Sequence, residues 1–205
     1  MKVFFLNHSI TLWSCFLLAF VISYLSVRPI VDLCLAKGLV DVPNGRTSHK
    51  KPTATLGGIA IFAGFMLSVM IFSPYGSILE LRFITAGTLI MFFVGVKDDI
   101  FVISPFNKLV AQIIAAIILI DFAGIRLTSL HGFMGIKDID YYTSLYLTIF
   151  VVVVIINAFN LIDGIDGLAA GIGIVVSITF GLWFFYSGQY EFANLTAALV
   201  GALVG

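Results

Sequence analysis

Charged residues are scarce in this chain: they make up 11% of its 205 positions, eleven Lys or Arg against eleven Asp or Glu, with no net charge. A soluble domain of this length needs far more charge to cover its surface, so a bundle of membrane helices is the default architecture. No basic block is large enough to hold nucleic acid, which removes that class of partner. Cysteine is nearly absent, with only Cys15 and Cys34 present. These two lie along one predicted helix, roughly 28 Å apart at ~1.5 Å per residue, too far to bridge each other within it. Neither has a metal-ligand or CxxC spacing, so both read as lone thiols on an apolar helix. The chain also lacks a long linker, a low-complexity tract and a convincing internal repeat, and residues 1–205 read as one transmembrane domain.

Apolar sequence fills the space that charge leaves, with 60% hydrophobic residues and a mean hydropathy of +1.13. The first apolar run, residues 10–31, is too long for a signal-peptide core, has no clear small-x-small cleavage site and is followed by further runs, so it reads as a retained helix. Further spans are expected over residues 56–72, 81–96, 109–123, 143–159 and 168–186, each near the ~17–25 residues that cross a bilayer. Asp121 interrupts the fourth near one end. A seventh run starts near Phe192 and is still apolar at Gly205, which reads as a crossing cut short. The expectation is an all-α, polytopic transmembrane helical bundle of about six complete spans plus a truncated seventh, incomplete at its C-terminus.

Parity places three polar segments on one side. Two helices separate residues 41–55 from 97–108, and two more separate these from 160–167. That side carries Lys37, Arg46, Lys50, Lys51, Lys97 and Lys108, with Arg28 near the end of the first helix, whereas the other has only Lys2, Arg82, Arg126 and Lys137. The excess of Lys and Arg makes the first side cytoplasmic and puts the N-terminus outside.

The first polar segment runs from Asp41 through Arg46, His49, Lys50, Lys51 and Pro52 to Gly57-Gly58. Its Pro and Gly content rules out a continuous helix. The concentrated positive charge suits a phosphate-rich substrate arriving from the cytosol, although an ordinary positive-inside loop has the same character. The second is Lys97-Asp98-Asp99, followed by Ser104-Pro105 and Lys108. Adjacent carboxylates repel and lose hydration at an interface, so one is expected to act as a base while a cation or metal steadies the other. A helix ended by solvated charges would look the same. The third is Asn157-x-x-Asn160-x-x-Asp163-Gly-x-Asp166-Gly-Leu168. Its polar residues recur every three positions, and share one side if the segment is helical. Ionisable groups inside an apolar stretch are costly and usually functional, and carboxylate and amide oxygens suit Mg²⁺, although a polar turn between two helices is the plainer alternative.

Together these clusters resemble the polyprenyl-phosphate N-acetylhexosamine-1-phosphate transferases of glycosyltransferase family 4, in particular the undecaprenyl-phosphate GlcNAc-1-phosphate branch that starts O-antigen and related cell-envelope polymers. The basic loop leading to Pro52 and Gly57-Gly58, the pair Asp98-Asp99 with Lys108, and the Asn/Asp series all fall in family order. The muramyl-pentapeptide transferases share the aspartates but usually lack the His-x-x-Pro arrangement of His49 to Pro52. Thr55 stands where the branch often has a basic residue.

The resemblance implies that undecaprenyl phosphate attacks the β-phosphate of a UDP-N-acetylhexosamine in the bacterial inner membrane, releasing UMP, with Mg²⁺ (or Mn²⁺) as cofactor. It implies Asp98 as base or nucleophile supported by Asp99, and Asn160 and Asp163 as metal ligands. Arg46, His49, Lys51, Lys108, Asn157 and Asp166 would contact substrate. Membrane lipids surround the bundle, and a homodimer is compatible with it. The family's later Phe-x-Gly-Asp-x-Gly motif and His-rich loop do not occur in these 205 residues, so the chain is expected not to turn over alone. Rival readings are a phospho-MurNAc-pentapeptide transferase, a non-catalytic membrane fragment and an ion or solute transporter. Transport predicts acids near the bilayer midplane, whereas these cluster at one interface beside lysines.

Overall fold

The computed structural model describes residues 2–41, 53–72 and 79–205, and among these it is almost wholly helical. The described elements are α1 (Lys2–Lys37), β1 (Val40–Asp41), β2 (Thr53–Ala54), α2 (Gly58–Phe72), α3 (Leu79–Ile100), α4 (Pro105–Ile117), α5 (Tyr141–Ile162), α6 (Leu168–Tyr186) and α7 (Tyr190–Val204). Among the described residues, four helical segments are long and apolar enough to cross a membrane: Asn7–Lys37, Pro105–Phe122, Tyr141–Ile162 and Leu168–Tyr186. The apolar helices α2 and α7 have 15 residues each, about 22 Å of rise against a hydrocarbon core of ~30 Å. An all-α membrane protein is therefore what the chain forms. It divides into two compact units, residues 1–77 with 162–205, and residues 78–161.

In the first unit, α1 packs against α2 and α7, and α7 also packs against α2 and α6. The core is Cys15, Ala19, Phe65, Met66, Val69, Ala198 and Ala202. Helices in lipid gain little from burying apolar surface against each other, so small residues that admit close backbone approach hold them together. Here Cys15, Ala19 and Ser23 on α1 recur every four positions, as do Gly64 and Ser68 on α2 and Gly201 and Gly205 in the last turn. A Cβ built at Gly64 would lie 2.6 Å from the Ala19 carbonyl oxygen, and one at Gly201 would strike that of Phe16. Two buried hydroxyls cross the same seams. Ser68 Oγ donates to the Cys15 carbonyl at 2.7 Å, and Ser23 Oγ to that of Ala202 at 2.8 Å. Both cysteines are free thiols, as their spacing requires.

The strands β1 and β2 pair antiparallel, Val40 with Ala54 and Asp41 with Thr53. They form a short stem at the two ends of the basic segment. Thr55 closes it, with backbone N–H and hydroxyl both donating to the Leu39 carbonyl at 3.3 Å.

In the second unit, α3 packs against α4 and the turn that follows it. Ser104 caps α4: its Oγ accepts from Asn107 N–H at 3.4 Å and Pro105 occupies the first turn, where its missing N–H costs nothing. The buried stripe of α4 is Gln112, Ala115 and Ala116, the spacing of one helix face. Where Asp121 interrupts the apolar run, the α-helix gives way to a π-helical turn, Ile118–Phe122, and Asp121 Oδ1 accepts from the Tyr141 hydroxyl at 2.9 Å. Residues 123–140 then form an ordered connection with a bridge between Ser129 and Asp138. Arg126 Nη1 donates to Ser144 Oγ at 3.0 Å, with its guanidinium 5.2 Å from the centre of the Tyr141 ring. Leu127 N–H donates to Thr148 Oγ1 at 3.0 Å. Asp140 starts α5 by accepting from Thr143 N–H at 3.0 Å. Hydrogen bonds from the Thr143 side chain and then its backbone hold the Asp140 carboxyl below its ordinary range.

Candidate functional site

The Lys97-Asp98-Asp99 cluster sits in the last turn of α3, one short connection before α4. Ordinary capping geometry brings the start of α4 back toward it. Ser104 and Pro105 set the first turn, and that turn carries Lys108 to Asp98. Lys108 Nζ lies 2.6 Å from Asp98 Oδ2, with the two side chains 35% and 26% exposed. The other carboxylate oxygen, Oδ1, accepts from Ile103 N–H at 3.0 Å. Asp98 is thus gripped at both oxygens and aimed by the backbone of the 101–104 connection. Each oxygen keeps a further lone pair, so the carboxylate is fixed in direction and still able to accept a proton. Lys97 and Asp99 are exposed on the same turn. A cleft of about 330 Å³ lies beside the pair, with Lys97 and Asn107 as its polar lining and Val94, Ile103, Val110, Ala111 and Ile114 around them.

Asn157 lies in the same unit and reaches α4. Its Nδ2 donates to Gln112 Oε1 at 2.8 Å and to the Val153 carbonyl at 2.8 Å. Asp98 and the first member of the Asn/Asp series are therefore both held by side chains of α4, through Lys108 and Gln112.

The rest of the series departs from a continuous helix. Asn160 is in the last turn of α5, which ends at Ile162, so the three-residue register holds through Asn160 and stops there. Asp163 and Asp166 lie in the turn leading to α6. Bonds from Ile165 N–H to Ile162 O at 3.2 Å and from Leu168 N–H to Ile165 O at 3.0 Å shape this turn. Gly167, at φ 73°, caps α6 in the left-handed region that glycine enters without strain. All four polar residues of the series are exposed, so the turn presents its oxygens outward and does not bury charge. Apolar neighbours in sequence had suggested burial. The Gly164 and Gly167 positions break the helix and bring the acids out. Arg46, His49 and Lys51 lie outside the described residues.

Among the described residues no group of three or more His, Cys, Asp or Glu gathers to hold a metal ion. Asn160 exposes an amide oxygen and Asp163 a carboxylate, each an oxygen donor of the hard type that Mg²⁺ takes. A larger apolar cavity of about 490 Å³ lies among α1, α6 and α7, lined by Trp13, Phe16, Phe185 and Val200 among others, and none of the candidate residues lines it.

Sequence reasoning overlooked Gln112 and Asn107. Gln112 had a readable signal: an amide one helical turn beyond Lys108 inside an apolar helix, where a polar side chain needs a partner.

Comparison with known proteins bears on the same residues. The family model described as glycosyl transferase family 4 matches residues 81–205, which include every described candidate residue. An undecaprenyl-phosphate alpha-N-acetylglucosaminyl 1-phosphate transferase of Salmonella typhi is 35% identical over 168 residues, covering 82% of this chain and 45% of the relative. The protein so named in Escherichia coli K12 is 33% identical over the same shares. A decaprenyl-phosphate N-acetylglucosaminephosphotransferase of Mycobacterium tuberculosis is 31% identical, covering 92% of this chain and 51% of the relative. The chain spans about half the length of the curated relatives it matches.

Proposed function

This chain belongs to glycosyl transferase family 4, and on that premise we propose that it carries the aspartate-bearing part of an enzyme that moves N-acetylhexosamine 1-phosphate, in our reading GlcNAc 1-phosphate, from a UDP-sugar to undecaprenyl phosphate with release of UMP. The observation that carries the reading is the Asp98–Lys108 pair, with Asp98 fixed at both oxygens at the junction of α3 and α4. Pyrophosphate exchange needs little covalent help from the protein. It needs positioning and positive charge where the diphosphate oxygens gather.

Asp98 is the candidate base or nucleophile and Asp99 its support. Lys108 holds Asp98 until the diphosphate competes for its ammonium. Lys97, exposed in the cleft, is a further cation for phosphate oxygens. Asn160 and Asp163 would hold Mg²⁺, which when bound neutralises the diphosphate and orients it. Asn157 and Asp166 face the substrate from the same series, and Arg46, His49 and Lys51 are assigned to the sugar nucleotide by sequence alone. The reading places these segments on the cytoplasmic face of the inner membrane, with the N-terminus outside, following the Lys and Arg excess.

Titration of the 205-residue chain in nanodiscs with Mg²⁺–UDP tests the proposal. Saturable binding that weakens about tenfold or more in Asp163→Asn, the scale of one lost charge-assisted contact, is expected. Binding identical in parent and variant removes the metal role from Asp163, and no binding at all in the parent overturns the nucleotide site. The transfer itself is proposed for the whole protein. Because the Phe-x-Gly-Asp-x-Gly and His-rich segments are not among these residues, the 205-residue chain is expected to release no UMP from UDP-GlcNAc and polyprenyl phosphate, and detectable release would refute that.

A further inference from the structure

The polar contact between α4 and α5 has a direction that the proposed function leaves unused. An amide side chain can face either way, but a backbone carbonyl can only accept. Asn157 lies 2.8 Å from the Val153 carbonyl, so the atom there is its nitrogen. The same nitrogen lies 2.8 Å from Gln112, which must therefore present its own oxygen. Both N–H bonds of Asn157 are then used within the protein. Its carbonyl oxygen, with two lone pairs, is the polar atom left to face outward from an exposed position.

Gln112 is 5% exposed. A buried amide is costly unless it is bonded, so its contact with Asn157 is an obligatory feature of the packed unit. Lys108 and Gln112 are one turn apart on α4. The first restrains Asp98, and the second restrains Asn157.

We infer that Gln112 is a positioning residue that fixes the Asn157 amide with its carbonyl oxygen toward the ligand, so that Asn157 recognises a hydrogen-bond donor, whether a metal-bound water or a nucleobase N–H, and does not bind phosphate oxygen. This inference rests on the nucleotide-binding reading for its ligand, but the orientation itself does not.

The test uses the 205-residue chain in nanodiscs. Mg²⁺–UDP affinity is expected to fall about tenfold in Gln112→Leu, the scale of a lost positioned hydrogen bond. Gln112→Glu, which keeps an acceptor for the Asn157 N–H, should recover most of that loss. Asn157→Asp, which keeps an outward oxygen, should bind more tightly than Asn157→Leu. Affinity of Asn157→Asp no better than that of Asn157→Leu would overturn the proposal, as would equal affinity of Gln112→Leu and parent. Hydrogen exchange of the selectively ¹⁵N-labelled Asn157 side chain gives a readout free of the ligand. Exchange should be slow in the parent and at least about tenfold faster in Gln112→Leu. Should the parent bind no Mg²⁺–UDP, the nucleotide reading fails while this exchange still decides the orientation, and equal exchange rates overturn it. Comparing thermal midpoints of all variants separates local misorientation from loss of fold.

Discussion

Replacing Gly64 by alanine should destabilise the first unit, although alanine is the better helix former. On an isolated helix the change would gain about 1 kcal/mol. Here the new Cβ would lie 2.6 Å from the Ala19 carbonyl oxygen, 3.2 Å from Ser23 N and 3.3 Å from Ser23 Cβ, and ordinary contact starts at 3.4 Å. Because two of those atoms are backbone, no side chain can swing away. Relief requires α1 and α2 to part by about 0.8 Å, a gap that forfeits between a quarter and a half of the dispersion well for each atom pair along the seam. The same movement stretches the bond from Ser68 Oγ to the Cys15 carbonyl from 2.7 Å toward ~3.5 Å, beyond useful range. Overpacking of this kind costs about 1–3 kcal/mol, and a hydrogen bond between helices in lipid adds ~0.6 kcal/mol. After the propensity gain the net loss is roughly 0.6–2.6 kcal/mol, equivalent to about 1–10 °C in Tm for a chain of this size. The reference is Gly171→Ala in α6, where an added Cβ meets nothing within 4 Å and stability should hold or rise slightly. Thermal unfolding of the three proteins in one detergent, followed by size-exclusion of the soluble fraction, reads both changes. If Gly64→Ala matches Gly171→Ala, close backbone approach is not what holds α1 to α2.

Two further outcomes follow from the second unit. Lys108→Met should cost little stability, below about 1 kcal/mol, because the ion pair is a third exposed on the lysine side and solvent screens it; its Mg²⁺–UDP affinity, by contrast, should fall about tenfold or more, and unchanged affinity in the titration would separate Lys108 from the site. The Asp140 carboxyl is held below its ordinary value of 3.8 in the folded chain. Its capping contribution is therefore complete above that value and disappears as pH falls through the lowered folded one, while Asp140→Asn should flatten this dependence. Hydrogen exchange at the Thr143 and Ser144 amides across acid pH measures it, and a pH-independent first turn of α5 in the parent would contradict the assigned cap.

Much of the architecture follows from local sequence. Scarce charge and long apolar runs dictate membrane helices wherever they occur, because lipid leaves backbone groups no partner outside a helix. The paired carboxylates, Lys108 and the Asn/Asp series stand out in sequence against their apolar neighbours, and the last of these marks where α5 gives way to an exposed turn. Ser104-Pro105 marks the start of α4, since capping is a property of a few adjacent residues. Helix ends were less legible. The apolar run through residues 143–159 continues to Ile162 as α5 and then breaks at Asp163, where turn geometry prevails over the three-residue register.

Other features are set by contacts between segments distant in sequence, and spacing along the chain does not encode these. That Lys108 grips Asp98 depends on how the 101–104 connection folds back, and that Asn157 meets Gln112 depends on the fold bringing two positions 45 residues apart within hydrogen-bond reach. The glycines at 64 and 201 look alike on paper to those at 95 and 171, yet only the first two press against a neighbouring backbone. Composition decided that this chain lives in lipid and which residues are chemically expensive. Packing decided which of them touch and which atom each one presents, because an amide or a carboxylate takes its orientation from partners that only the folded chain supplies.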